Sequence, residues 1–113
     1  MFSLFKRKDK TESLSYRRKM AERIAGQQIK YTTERVDDTD LVIGHGGALI
    51  LRDDELIVYA SQDIVFRCPV AQLTVSELMS RDGAILTGPD GTQDGKVRTV
   101  IAYYTYYLRR NLD

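Results

Sequence analysis

The chain has 113 residues, 42% hydrophobic and 29% charged, the size and make-up of one folded domain. A single cysteine, Cys68, excludes an internal disulfide framework, and without a C-x-x-C there is no thiolate pair for zinc or redox chemistry. No apolar run approaches the roughly 18 residues of a membrane-spanning helix. The net charge of +1 conceals an asymmetry: residues 1–35 hold ten Lys/Arg against four acids, and residues 36–113 hold seven against twelve. Such a division points either to an anionic partner or to attraction between the two parts.

Residues 1–10 read as a flexible basic arm, Met1-Phe2-Ser3-Leu4-Phe5 followed by Lys6-Arg7-Lys8-Asp9-Lys10. The apolar part precedes the charge, the reverse of a secretory signal, and position 2 is Phe rather than the Gly that myristoylation needs. A cytoplasmic protein is expected, at most peripheral to a membrane. Phe2, Phe5, Lys6, Arg7, Lys8 and Lys10 are the candidate contacts to an anionic surface. A solubilising terminus that contacts nothing is the commoner fate of such a segment.

The rest, 11–113, reads as a single domain: a helix over 13–25, then a β-meander over 27–108. Gly26 is the helix stop. Tyr16, Met20 and Ile24 recur on one helical face, while Arg17, Arg18, Lys19, Glu22 and Arg23 crowd the other. Arg17 and Arg18 join the candidate partner contacts. From Gln27 the period changes to two, with Ile29, Tyr31 and Thr33 on one face. Val36–Asp40 reads as a loop. Gly47–Arg52 and Glu55–Ala60 form a hairpin turning at Asp53-Asp54, which should bury Leu49, Leu51, Leu56 and Val58. Ser61-Gln62 then reverses the chain into Asp63–Cys68.

Two segments admit helix or strand. Thr74-Val75-Ser76-Glu77 fits a capping box but also continues a β pattern, and strand is the better reading. Val97–Leu108 is rich in Tyr, Ile and Val, which fit a pleated surface. As a strand it places Val100, Ala102, Tyr104, Tyr106 and Leu108 inward, and Tyr103 and Tyr107 outward. Those two outward rings are a candidate stacking platform for bases or for a protein. The expected fold is therefore α+β, mainly antiparallel β, with an N-terminal helix and about seven strands as a meander or small barrel.

Three runs carry a further resemblance: Gly47–Tyr59, Ile64–Val75 and Gly83–Gly88. Over about 47–107 their order resembles a bacterial pleckstrin-homology or GRAM-like domain. The resemblance implies a binding domain with a capping helix, a role the helix at 13–25 would take. The family's phosphoinositide-binding residues have no counterpart here, so none are carried over.

Chemistry is sparsely provided for. Gly44-His45-Gly46-Gly47 is similar to an esterase oxyanion loop, but no Gly-x-Ser-x-Gly nucleophile elbow accompanies it. Asp37, Asp38 and Asp40 read as a solvated turn rather than a cation site. Asp90–Gly95 imitates the middle of a calcium loop, yet the twelfth position from Asp90 is Ile101 rather than Glu. No phosphate-binding glycine motif is present, and Cys68 reads as a buried inert thiol. No cofactor, no metal and no catalytic residue is expected. The function indicated is a non-enzymatic interaction module for a protein partner or an anionic membrane surface. A nucleic-acid or ribosome-associated factor is the alternative, and oligomeric state stays open.

Overall fold

A computed structural model describes residues 13–105. The arm at 1–10, with Phe2, Phe5, Lys6, Arg7, Lys8 and Lys10, lies outside the described residues, as do Tyr106, Tyr107 and Leu108.

Helix α1 (Leu14–Ile24) begins at Ser13, whose hydroxyl accepts the Tyr16 N–H at 3.2 Å. It ends as expected at Gly26, which adopts φ +90°, the left-handed region that glycine enters without penalty. Its buried face is narrower than the sequence stripe. Ala21 and Ile24 are fully buried, whereas Tyr16 at the stripe's N-terminal end is 42% exposed.

Eight strands follow, all paired antiparallel: β1 (Ile29–Val36), β2 (Thr39–His45), β3 (Ala48–Arg52), β4 (Glu55–Ala60), β5 (Asp63–Pro69), β6 (Thr74–Glu77), β7 (Gly83–Asp90) and β8 (Lys96–Tyr104). They form a five-stranded sheet in the order β2-β1-β8-β7-β6 and a three-stranded sheet in the order β3-β4-β5. The chain is thus α+β and mainly antiparallel, with 74–77 and 96–104 both strand. The expected barrel does not close. α1 packs against the 3-10 turn Val70–Gln72, β6 and β3.

The missed strand is β2. Val36–Asp40 is not a loop, because β1 runs through Val36 and pairs with Thr39 across a two-residue turn. Asp37 and Asp38 take φ +50° and +67°, a left-handed pair whose twist matches that of a hairpin. Aspartate tolerates this conformation better than most residues. The 48–60 hairpin stands where it was expected, with Leu49, Leu56 and Val58 fully buried and Leu51 half-buried against the core.

Side chains from the inner faces of both sheets interleave into one core, including Leu49, Leu56, Phe66, Leu86, Val100 and Tyr104, with Ala21 and Ile24 of α1 at one end. Alternation in β1 is broken between Ile29 and Tyr31, where two steps of β1 oppose one of β8, and a second irregularity places the extra residue Ile43 of β2 opposite Thr32 and Thr33. Consequently Ile29 and Thr32 are buried inside, while Tyr31 is turned outward beside Tyr103. The expected common face of Ile29, Tyr31 and Thr33 is split by the bulge in β1, which turns Ile29 inward and leaves Tyr31 and Thr33 outward.

A buried ionic clamp joins the two sheets. Arg98 on β8 donates to both carboxylate oxygens of Glu34 on β1, at 2.7 and 3.0 Å. It also donates to Asp90 at the end of β7 and, at 3.0 Å, to the Val65 carbonyl of β5. Asp90 is fully buried and accepts further bonds from the Arg67 N–H at 3.1 Å and the Thr92 N–H at 2.8 Å. Asp90 is therefore the cap of the 3-10 turn Gly91–Gln93 and a link to the second sheet, which accounts for the calcium-like run in the sequence.

Candidate interaction surface

The outer face of the five-stranded sheet is built by strict alternation along β8. Val100, Ala102 and Tyr104 point into the core, so Val97, Thr99, Ile101 and Tyr103 point away from it. Tyr31 lies directly opposite Tyr103 in the register, and the two rings meet with centroids 4.6 Å apart, tilted by 49°. Such a pair contributes roughly 0.5–1.5 kcal/mol beyond its buried area. Burial, and then Tyr31, push the Tyr103 phenol above its ordinary pKa. Ile101 is only 1% exposed although it belongs to this outer face and not to the core, and Thr33 opposite it is likewise buried.

The face runs into a free edge. β2 is the last strand of the sheet and pairs only with β1, so one row of its backbone donors and acceptors is unpaired within the sheet. Leu41 is 51% and Val42 54% exposed on this strand, and Val97 is 65% exposed on β8. Edge strands are commonly protected by lysine or proline, and β2 has neither. The irregularity opposite Thr32 and Thr33 interrupts the edge, and at its end both backbone groups of His45 are bonded to Ser61, leaving 39–43 as the open part.

Charge near the tyrosines is neutralised locally. Arg35 donates to both oxygens of Asp40 across the β1–β2 hairpin, at 2.9 and 3.2 Å. The hydrogen bond from Arg35 holds the Asp40 carboxyl below its usual range.

Arg17 and Arg18, expected as partner contacts, both reach into the body of the protein. Arg17 donates to the Leu73 carbonyl at 2.6 Å, and Arg18 to Glu22, to the Asp53 carbonyl and to Asp54, at 3.1, 3.2 and 3.2 Å. With Arg23, which donates to Glu77 at 2.8 Å, they fasten α1 over the core. Of the other candidates, Tyr103 stands on the outer face as expected, and Tyr107 with the arm residues lies outside the described residues. His45 is exposed at the end of β2, where its backbone N–H donates to the Ser61 hydroxyl at 3.0 Å. Cys68 is fully buried, and burial first, then the charges of Asp90 and Glu55, push its thiol up to about 12.

Tyr31, Ile101 and the β2 edge were missed as site residues. The available signal was the Asp-Asp pair flanked by alternating segments, Thr33–Val36 and Thr39–Val42, which is hairpin chemistry. No helix among the described residues is long and apolar enough to cross a membrane, and no group of three or more His, Cys, Asp or Glu among them could hold a metal ion. Comparison with family models, curated proteins and solved structures returns no match.

Proposed function

We propose that this chain is a small non-enzymatic interaction module that binds a protein partner through the outer face and free edge of its five-stranded sheet. The observation that carries this reading is the continuity of the outer face from the Tyr31–Tyr103 pair through Ile101 and Thr33 to the exposed Val42 on the edge strand β2. A backbone edge supplies hydrogen bonds to an added strand, and adjacent apolar side chains supply selectivity. The resemblance to pleckstrin-homology and GRAM-type domains supports the same class, binding rather than catalysis. Recognition of nucleic acid is less well supported, because stacking platforms for bases work together with uncommitted cations and Arg35 is paired with Asp40.

The test is comparative affinity capture from native lysate, with wild type, Val42→Asp and Tyr103→Ala as baits of equal thermal stability. Proteins held by wild type and lost from both variants are the expected result. Identical capture by all three would exclude this surface.

A further inference from the structure

A concave feature lies where α1 meets the tip of the 48–60 hairpin. It is a half-open, mainly apolar groove of about 520 Å³, with Leu14, Pro69, Val70 and Ala71 among its walls and Arg18 and Asp54 at its polar margin. That volume falls within the roughly 300–1,000 Å³ of sites that accept substantial ligands. Leu14, in the first turn of α1, is 61% exposed on it. An apolar side chain left so open at the mouth of an apolar groove calls for an occupant.

The chain itself carries one. Residues 1–12 join the described structure at Ser13, one residue before the groove wall begins at Leu14. Their apolar part, Phe2-Ser3-Leu4-Phe5, is separated from Leu14 by the eight residues 6–13. At roughly 3.3–3.6 Å per extended residue, eight residues suffice to turn back and lay Phe2 and Phe5 along the groove. The connecting residues match the margin in charge. Lys6, Arg7 and Lys8 would come over the hairpin tip, where Asp53 and Asp54 stand side by side and the Asp54 side chain is 96% exposed despite its contact with Arg18.

We infer that the groove is the intramolecular seat of the Phe2–Phe5 segment, with the following cations over Asp53 and Asp54. The sequence alone pointed to a free arm, because it shows no periodicity in residues 1–10 and gives no sight of a groove beside Leu14. Docking also restricts access of the same residues to a membrane, so membrane contact and groove occupancy exclude each other.

The experiment compares the full chain with its Phe2→Ser/Phe5→Ser variant by backbone amide NMR and thermal unfolding. Both substitutions lie outside the described domain, so the fold persists in the variant. The expected result is a change of amide shifts at Leu14, Asp54, Val70 and Ala71, with a fall in Tm of several degrees, at every protein concentration. A second variant, Ala71→Glu, should release the same segment and sharpen the amide signals of residues 2–8. Unchanged shifts around the groove in the double variant would overturn the inference. Shifts that appear only at high protein concentration would also overturn it, since the occupant would then be a second copy. Neither outcome touches the outer sheet face, which these variants leave intact.

Discussion

Replacing Arg98 with methionine should reveal how much of the stability rests on the clamp between the sheets. Arg98 donates to Glu34 twice, to Asp90 and to the Val65 carbonyl, and its side chain is only 9% exposed. Removing one partner of a buried ion pair typically costs about 3–5 kcal/mol, because the remaining charge is left without compensation. Asp90 keeps its bonds from the Arg67 and Thr92 N–H groups, so the lower end, about 3 kcal/mol, is expected. In the native protein the bond from Arg98 lowers the Glu34 pKa. For Asp90, burial alone would raise the pKa, but the bonds from Thr92, Arg98 and Arg67 together bring it below the usual value. A depressed folded pKa contributes stability that is present above the unfolded values, about 3.9 for Asp and 4.3 for Glu, and lost as pH falls through the folded ones. Urea unfolding at pH 7 and pH 3 therefore tests the reasoning. The loss of about 3 kcal/mol at pH 7 should shrink to about 1 at pH 3, with the m-value unchanged. A variant within about 0.5 kcal/mol of wild type at pH 7, or a gap that widens in acid, would refute it.

Other outcomes follow from burial and backbone geometry. Leu56→Ala, at a fully buried position of β4, should cost about 2–5 kcal/mol by urea denaturation. Gly47→Ala should be at least as damaging as a forced backbone conformation, roughly 1–3 kcal/mol, because Gly47 has φ +111° and a Cβ there would stand 1.8 Å from the Tyr59 carbonyl oxygen. The Cys68 thiol, with its pKa pushed up to about 12, should resist iodoacetamide at pH 8 in the native protein and react once urea unfolds it.

What was legible in the sequence was the part that periodicity governs. The helix stop at Gly26, the 48–60 hairpin and the strand at β8 each repeat a pattern that one alignment of side chains satisfies. What was not legible depends on irregularity or on distant partners. β2 escaped because Asp37-Asp38-Thr39-Asp40 is polar enough to be a loop, and only the left-handed pair at 37 and 38 makes it a turn. Tyr31 escaped as a partner of Tyr103 because the bulge of β1 between Ile29 and Tyr31 cancels simple alternation. Asp90 looked like a loop acid, and nothing local announces that Arg98 and the backbone of β5 bury it. Half of the candidate surface was therefore visible as Tyr103, and the other half required knowing which strand lies next to it.

The same comparison changes what the basic N-terminal third is for. Arg17 and Arg18 on a short helix could, from sequence, meet an anionic partner, and Arg23 adds to the same basic charge. In the fold they bond Leu73, Asp54 and Glu77, so attraction between the basic helix and the acidic body accounts for that part of the charge asymmetry. Arg35 is likewise matched by Asp40 beside the tyrosines. A partner seated on the outer face then meets apolar and aromatic side chains and a backbone edge, with little net charge to neutralise. Association through this face should accordingly change less than about tenfold between 50 and 200 mM salt, because few counterions are released. A contact built on six to ten phosphates would instead lose about 10³–10⁵ in affinity over that range. A steep slope, measured by titrating the captured partner at both salt concentrations, would mean that cations outside the described face carry the binding. The outer tyrosines would then be a covering of the sheet and not a site.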